Sequence, residues 1–143
     1  MDWAATLEAQ PFAQALRASR WTYPLVNAGH ILGLALLIGA VVPMDVRLLR
    51  GDLRAIRMLR VYAIGGLCLA LACGSLLFAA QASDYVANSW FRWKIVLLVA
   101  ALMNAALHLH PLALSRPRQC AAAILSLCLW IAVLLCGRMI AYS

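Results

Sequence analysis

Residues 23–44 read YPLVNAGHILGLALLIGAVVPM, an apolar run of 22 residues that contains no acid, lysine or arginine and one histidine. As an α-helix rising about 1.5 Å per residue, the run is about 33 Å long, enough to cross a bilayer. Histidine is costly at that depth because its ring nitrogens find no water, so His30 needs a partner inside the membrane. The run predicts a membrane-spanning helix, and the partner of His30 becomes the functional question.

The rest of the composition agrees with a membrane protein. Of the 143 residues, 66% are hydrophobic and 12% are charged; the mean hydropathy is +0.88, far from the balance of a soluble domain. The net charge of +7 does not indicate nucleic-acid binding, because Lys and Arg fall between the apolar runs, where they set topology and contact anionic lipid. We predict one all-α integral membrane domain over residues 1–143, a four-helix bundle with membrane lipid as its surroundings.

Four apolar runs have the length of spanning helices: 23–44, 61–80, 90–110 and 120–138. Residues 1–20 place large apolar side chains at spacings of four or five and are interrupted at Pro11, which predicts a short N-terminal interfacial segment of one or two helices. Residues 81–89 are typical of a polar turn. Within the second run, small residues can share one face and admit a close neighbour: Gly66, Cys73 and Gly74.

Arginines indicate the orientation of the bundle. Residues 45–60, DVRLLRGDLRAIRMLR, predict a basic loop on an anionic inner leaflet, in which Asp45 and Asp52 balance the arginines; a docking surface for a partner is the alternative. This loop and the connection between the third and fourth spans hold seven arginines, against five basic residues on the other side. The positive-inside bias therefore places both termini outside.

The five cysteines lie in or beside apolar runs, and the sequence contains no CxxC or CxxCH motif. This pattern argues against a disulfide framework, a thiolate zinc site and covalent haem attachment. We interpret the cysteines as small buried hydrophobic residues.

His30 and Lys94 come to similar depths in the outer half of the predicted bundle, seven and four residues from the outer ends of their spans. His108 lies fourteen residues beyond Lys94, about 21 Å further in. Two nitrogen ligands that face one another between helices can hold a haem iron from both sides. A lysine ligand must be neutral, and burial favours that form. We predict a haem b site with His30 and Lys94 as the axial ligands.

Four further residues belong to this predicted site. Asn27, one turn before His30, and Gly33, three residues after it, are expected to share its helix face, and the glycine would leave room for a flat ligand. Arg92 and Arg138 lie near the outer face, where each could neutralise a haem propionate as a charge-assisted donor.

Alternatives stay open for three of the nitrogen side chains. Lys94 could instead snorkel to the membrane surface, and His30 could be a hydrogen-bonded packing residue. His108 is the alternative second ligand of the iron. It could also be an interfacial cap or, together with His110, bind copper or zinc at the inner surface.

The chain resembles the small haem-containing protoporphyrinogen oxidases of bacterial membranes and, more distantly, the membrane domain of the copper-resistance protein D family. The resemblance rests on His30 within GHILGLALLIGA and on the segment 90–94, WFRWK, which is similar to a W-x-H-x-K signature. It implies haem b bound by His30 and Lys94 in a bacterial inner membrane, where the outside termini predicted from the arginines would be periplasmic. Arg92 stands where the signature has histidine, and residues 104–105 read Asn-Ala where a tyrosine-histidine pair is expected, so haem binding is implied more strongly than oxidase activity.

Our first functional interpretation is a small membrane cytochrome of b type, which passes electrons between quinone, a periplasmic redox partner or an enzyme of which it is a subunit. The second is a haem-dependent oxidase of the protoporphyrinogen oxidase type. The third is copper handling by the methionines and histidines, although no MxxM or HxxM cluster occurs. The fourth is a structural subunit without cofactor, in a larger complex or a homo-oligomer.

Overall fold

The computed structural model describes residues 2–107 and 115–143. Within those ranges the chain is helical and contains no strand. Seven α-helices and one 3-10 turn follow in order: α1 Asp2–Glu8, α2 Pro11–Ala18, α3 Thr22–Arg50, α4 Ile56–Ala80, α5 Ala82–Ala87, α6 Ser89–Leu107, α7 Arg116–Met139, and the 3-10 turn Ile140–Tyr142. The helices α3, α4, α6 and α7 are long and apolar enough to cross a membrane. The predicted all-α, four-helix membrane fold is confirmed.

The first two spans run past their predicted ends. α3 continues from the predicted limit at Met44 to Arg50, and α4 begins at Ile56 instead of 61. The prediction of a basic loop over 45–60 is therefore wrong, and the connection shrinks to residues 51–55. Arginines near a helix end reach water with their long side chains, and cations are favourable at a helix C-terminus, so the charges do not stop the helix. The predicted third span ends at 108–110, which lie outside the described residues.

The turn between α3 and α4 is held by backbone and arginine contacts. Gly51 adopts a left-handed conformation with φ of 78°, and its N–H bonds the carbonyl groups of Arg47 and Leu48 at the end of α3. Arg116 of α7 donates to the carbonyl oxygens of Leu48 and Leu49, at 2.8 Å each. The side chain of α7 thus satisfies carbonyl groups that a helix end leaves without intrahelical partners.

Helix α3 packs on α4 and on α7, and α6 packs on α7. The contact between α3 and α4 is close because it is lined by small residues at spacings of four, which lets helix backbones approach. We call this contact the glycine seam; it consists of Gly29, Gly33, Gly66, Ala70 and Gly74. A Cβ atom on Gly66 would lie 2.5 Å from the Leu37 nitrogen and 2.8 Å from the Gly33 oxygen. The prediction that Gly66 admits a close neighbour is confirmed.

Both chain termini lie at one end of the bundle, which we call the terminal end; the opposite end, with residues 51–55, is the turn end. Asn88 Nδ2 donates to the hydroxyl group of the C-terminal Ser143 at 2.6 Å. The N-terminal segment forms two helices, α1 and α2, which pack on α5 and α4 respectively. Ala4 and Ala13 are buried in these contacts. The six-residue helix α5 replaces most of the predicted polar turn.

The Glu8 carboxylate links α1 to α5 by a hydrogen bond. Glu8 Oε1 accepts a hydrogen bond from the Ser83 backbone N–H at 2.6 Å, and Arg17 lies 3.8 Å from the other carboxylate oxygen. The hydrogen bond from Ser83 is the main reason that the pKa of Glu8 lies below its usual range, with the charge of Arg17 adding to it. The ionised form of Glu8 is thus the form that holds the two helices together.

Candidate functional site

A large cleft opens at the terminal end of the bundle, with walls of mainly apolar side chains from α3, α4, α6 and α7 and a rim that includes α5. Its volume is about 1940 Å³, larger than the roughly 300–1,000 Å³ of ordinary small-molecule pockets. Four of the predicted site residues line it: Asn27, His30, Lys94 and Arg138. We call it the terminal cleft.

His30 has a hydrogen-bond partner inside the bundle. Its Nδ1 lies 2.8 Å from the carbonyl oxygen of Ala70 in α4. A carbonyl only accepts, so Nδ1 carries the proton, and in the neutral ring the lone pair is on Nε2. The ring packs over Gly74, where an added Cβ would come within 3.0 Å of Cε1. A backbone hydrogen bond that fixes one ring nitrogen and leaves the other available is the usual arrangement of a metal-ligating histidine.

Lys94 enters the cleft from α6 at a depth similar to that of His30. The two residues lie five and eight residues into their helices, about 8 and 12 Å from the terminal ends. The Lys94 side chain lies over Gly137 of α7, where an added Cβ would be 3.4 Å from Nζ. Among the residues that the structure describes, no carboxylate pairs with Lys94. The amine is therefore partly buried with no counter-charge bonded to it.

The two predicted arginines differ in placement. Arg138 lines the terminal cleft, and its guanidinium donates to the Tyr142 hydroxyl at 2.7 Å and lies over the Tyr142 ring. Arg92 is exposed and donates to the Ser89 hydroxyl at 3.2 Å, and it is not part of the cleft wall. The structure brings Arg138, and not Arg92, to the cleft.

Gly33 lies in the glycine seam and not in the cleft wall. A Cβ there would lie 2.5 Å from the Ala70 nitrogen and 2.9 Å from the Gly66 oxygen. The expectation that Gly33 makes room for a flat ligand is corrected: the space beside it is filled by the backbone of α4. Gly74 and Gly137 are the glycines that adjoin the predicted ligands, and the sequence analysis assigned neither of them to the site.

The remaining metal-site predictions concern histidines and cysteines. His108 and His110 lie outside the described residues. In the described ranges, no three His, Cys, Asp or Glu side chains converge as a metal-binding group. All five cysteines are free, but only Cys136 is fully buried, whereas Cys68 and Cys128 are exposed on the lipid-facing surface. The interpretation of all five as buried residues is therefore wrong for Cys68 and Cys128.

Aromatic side chains form part of the rim of the terminal cleft. Phe78 and Phe91 stack with ring centroids 5.3 Å apart, and the Tyr85 ring lies 5.2 Å from that of Phe91. Burial raises the pKa of Tyr85, and the charges of Tyr23 and Asp84 raise it further, so its phenol stays neutral. The rim is aromatic where α4, α5 and α6 meet.

A group of buried polar residues lies near the turn end, and the sequence analysis did not identify it. In the described ranges, the buried polar side chains are Asp45, Asn104, Gln119 and Ser126. Asp45, Asn104 and Ser126 line a second cavity of about 150 Å³ with otherwise mainly apolar walls. We call these four residues the turn-end cluster.

The prediction that Asp45 balances arginines in a loop is wrong, whereas the same prediction for Asp52 is confirmed. Asp52 pairs with Arg47 at 2.9 Å, but Asp45 is in α3, 4% exposed, and bonded by the side chain of Ser126. The sequence contains a pattern that could have indicated a buried Asp45. The acid directly follows a 22-residue apolar run, and leucines follow it at helical spacing.

The fold and the cleft define a four-helix integral membrane protein with a basic, mostly apolar cleft at the end that carries both termini. The sequence matches no family model, and it has no significant similarity to curated proteins or to solved structures. The function is therefore argued from the site.

Proposed function

We propose that the protein binds haem b in the terminal cleft, with His30 and Lys94 as axial ligands, and that it acts as a small membrane cytochrome or redox subunit. The observation that carries the proposal is the convergence of two nitrogen side chains from α3 and α6 on one wide, apolar cleft. In the described ranges no carboxylate pairs with Lys94, and a cationic amine without a counter-charge is costly in a membrane.

The chemistry of the donor set fits haem. His30 presents a neutral imidazole whose Nδ1–H is committed to the Ala70 carbonyl, so the ring is oriented by a contact that leaves Nε2 free to coordinate. Lys94 has to release its proton before its nitrogen can coordinate, and the apolar walls favour the neutral amine. Gly74 leaves the His30 ring room that a larger residue would occupy, and the Lys94 side chain lies at van der Waals distance from the Cβ position of Gly137.

The rest of the cleft would bind the macrocycle and control its surroundings. The apolar walls would exclude water, and Arg138 supplies a cation near the C-terminus that could pair with carboxylate groups. When bound, haem supplies reversible one-electron oxidation and reduction, with a potential set by the axial ligands and by burial. The electrons would be exchanged with quinone or with a periplasmic redox partner.

The experiment that tests this proposal is the absorbance of the purified protein. Protein made in haem-replete cells should show a Soret band and reduced-minus-oxidised bands of b type, with haem extractable by acid because no CxxCH attaches it. A protein that shows no such bands, even after addition of haem to detergent-solubilised material, would contradict the proposal.

We further propose that the chain lies in a bacterial inner membrane with both termini periplasmic. The arginines at the ends of α3, α4 and α7 that form the turn end would face the cytoplasm. In a variant without native cysteines, a cysteine at Ser83 should react with an impermeant maleimide in intact cells, and one at Ala55 should not. The reverse result would refute this orientation.

A further inference from the structure

Asp45 is a carboxylic acid in the interior of the helical bundle. Only 4% of the residue is exposed. The Ser126 side chain hydrogen bonds to its carboxyl group, and Oδ2 has no hydrogen-bond partner among the described residues. Neither of the ion pairs in the described ranges involves Asp45. The carboxyl group therefore has one buried acceptor oxygen without a hydrogen-bond partner among the described residues.

The groups that face Asp45 come from three helices. α4 contributes Arg60, which lines the same cavity, α6 contributes Asn104, and α7 contributes Ser126. Arg60 is the charged side chain among them, and it forms no ion pair with Asp45. The Asn104 amide donates to the Ala122 carbonyl at 3.2 Å. The cavity thus contains few polar groups, and its remaining wall is apolar.

The turn-end cluster reaches from Asp45 toward the surface along α7. Gln119 and Ser126 are seven residues apart and lie on one face of the helix, about 10 Å from each other. Gln119 Oε1 accepts a hydrogen bond from Arg116 at 3.2 Å, in the first turn of α7. Asp45 itself is five residues from the end of α3, about 8 Å along the axis. Two buried polar side chains of α7 thus mark the direction from the carboxyl group to the turn end: Ser126 beside Asp45 and Gln119 near the start of the helix.

An ionised carboxylate without an ion partner is strongly disfavoured in such surroundings. Three species could compensate its charge: a cationic side chain, a metal ion or a proton. The described side chains form no ion pair with it. A hard cation needs about six or more oxygen ligands, whereas the cavity offers the oxygens of three side chains and also contains the positive charge of Arg60. A proton needs one acceptor oxygen.

We propose that Asp45 is an intramembrane proton-binding site, which exchanges its proton with water at the turn end past Ser126 and Gln119 of α7. An O–H bond forms on Oδ2 when a proton arrives from the aqueous phase, and the carboxylate becomes a neutral acid; no redox change is involved. The site is separate from the terminal cleft, because Asp45 lies fifteen residues from His30, about 22 Å along α3. The proposal does not depend on haem.

The test is infrared spectroscopy of the full chain in liposomes, recorded from acidic to neutral pH. A band from the C=O stretch of a protonated carboxyl group should be present and should shift on transfer to D₂O because the proton exchanges. The Asp45→Asn variant, which is close in size and can keep the bond from Ser126, should lose the band. The matched control is Asp52→Asn, since Asp52 is a surface acid paired with Arg47; it should retain the band.

Two further measurements separate the alternatives. Ser126→Ala should shift the band without removing it, because the hydrogen bond to the carboxyl group is lost; this variant also serves if Asp45→Asn fails to fold. Spectra without a protonated-carboxyl band above the pH range in which surface carboxyl groups titrate, or a band unaffected by both Asp45→Asn and Ser126→Ala, would overturn the proposal. Loss of the band on addition of Na⁺ or Ca²⁺ at constant pH would overturn it in favour of a metal-ion site.

Discussion

The terminal cleft and the turn-end cluster both involve helix α3, and they differ in the size of their cavities and in the chemistry of their polar side chains. The cleft is wide and is lined by the basic side chains of His30, Lys94 and Arg138. The cluster is narrow, and its central residue is the acid Asp45. An open space with two nitrogen bases suits a large planar ligand with a metal, whereas a small cavity with one carboxyl group suits a proton.

Between the two regions the bundle is apolar and closely packed. Leu37, Leu67 and Trp130 line both cavities and so form the partition between them. Trp130 is 4% exposed and belongs to the main hydrophobic cluster together with Leu37. Each polar site therefore lies nearer to one end of the bundle. The middle of the bundle consists of packed apolar side chains, which contribute stability.

The largest effect is expected from damage to the glycine seam, because both regions depend on the position of α3. Gly66→Ala should destabilise the protein by about 1–3 kcal/mol, since the new Cβ would meet backbone atoms of α3. Gly65→Ala is the matched control: a Cβ there has no neighbour within 4 Å, and alanine favours a helix by up to about 1 kcal/mol over glycine. Thermal unfolding in detergent measures both.

If both variants unfold at the same temperature as the unmodified protein, the seam does not hold α3 and α4 together. The two regions could then no longer be compared as parts of one fixed framework, because the position of α3 against α4 would not be set by the glycine seam.

A smaller effect, confined to the terminal cleft, is expected from Lys94→Met. The thioether can coordinate iron without the basicity of the amine, so the variant should retain haem and show a shifted Soret maximum. Arg92→Gln is the control on the same helix, because Arg92 is exposed and outside the cleft wall, and its spectrum should be unchanged. A spectrum insensitive to Lys94→Met would remove Lys94 from the ligand set.

The smallest effect is expected from a substitution at the contact between α1 and α5. It should change local hydrogen exchange at the terminal end of the bundle only. The hydrogen bond from Ser83 lowers the pKa of Glu8, so the contact is complete above the ordinary pKa of a glutamate and is lost as the pH falls through the lowered value. Glu8→Gln should raise hydrogen exchange at the Ser83 amide several-fold at neutral pH. Asp84→Asn, an exposed neighbour in α5, should not.

Equal exchange at Ser83 in the unmodified and Glu8→Gln proteins would mean that α1 is held by its apolar contacts alone. Ala4, which is 2% exposed, would then be the residue to substitute.

The fold was predictable from sequence because lipid imposes strong rules on length and composition. The ends of the helices were not predicted correctly. The segment DVRLLR was interpreted as a loop because of its charge, although leucine and arginine also favour a helix. Because of that error, Asp45 was not recognised as a buried residue of α3. Gly33 was assigned to the wrong neighbour because residues three apart differ by about 60° around a helix, which is enough to move Gly33 out of the cleft wall and against the backbone of α4. Gly74 and Gly137 had no sequence signal linking them to His30 and Lys94.

The central claim is that His30 holds haem in the terminal cleft, and the absorbance of four purified proteins tests it most directly. The unmodified chain, Asp45→Asn and His108→Ala should each show the Soret band and the reduced-minus-oxidised bands of a b-type haem. His30→Ala should lose most of the Soret band, because the stronger ligand is removed from a water-poor cleft. Full retention of the band in His30→Ala, with its loss in His108→Ala or Asp45→Asn, would contradict the account.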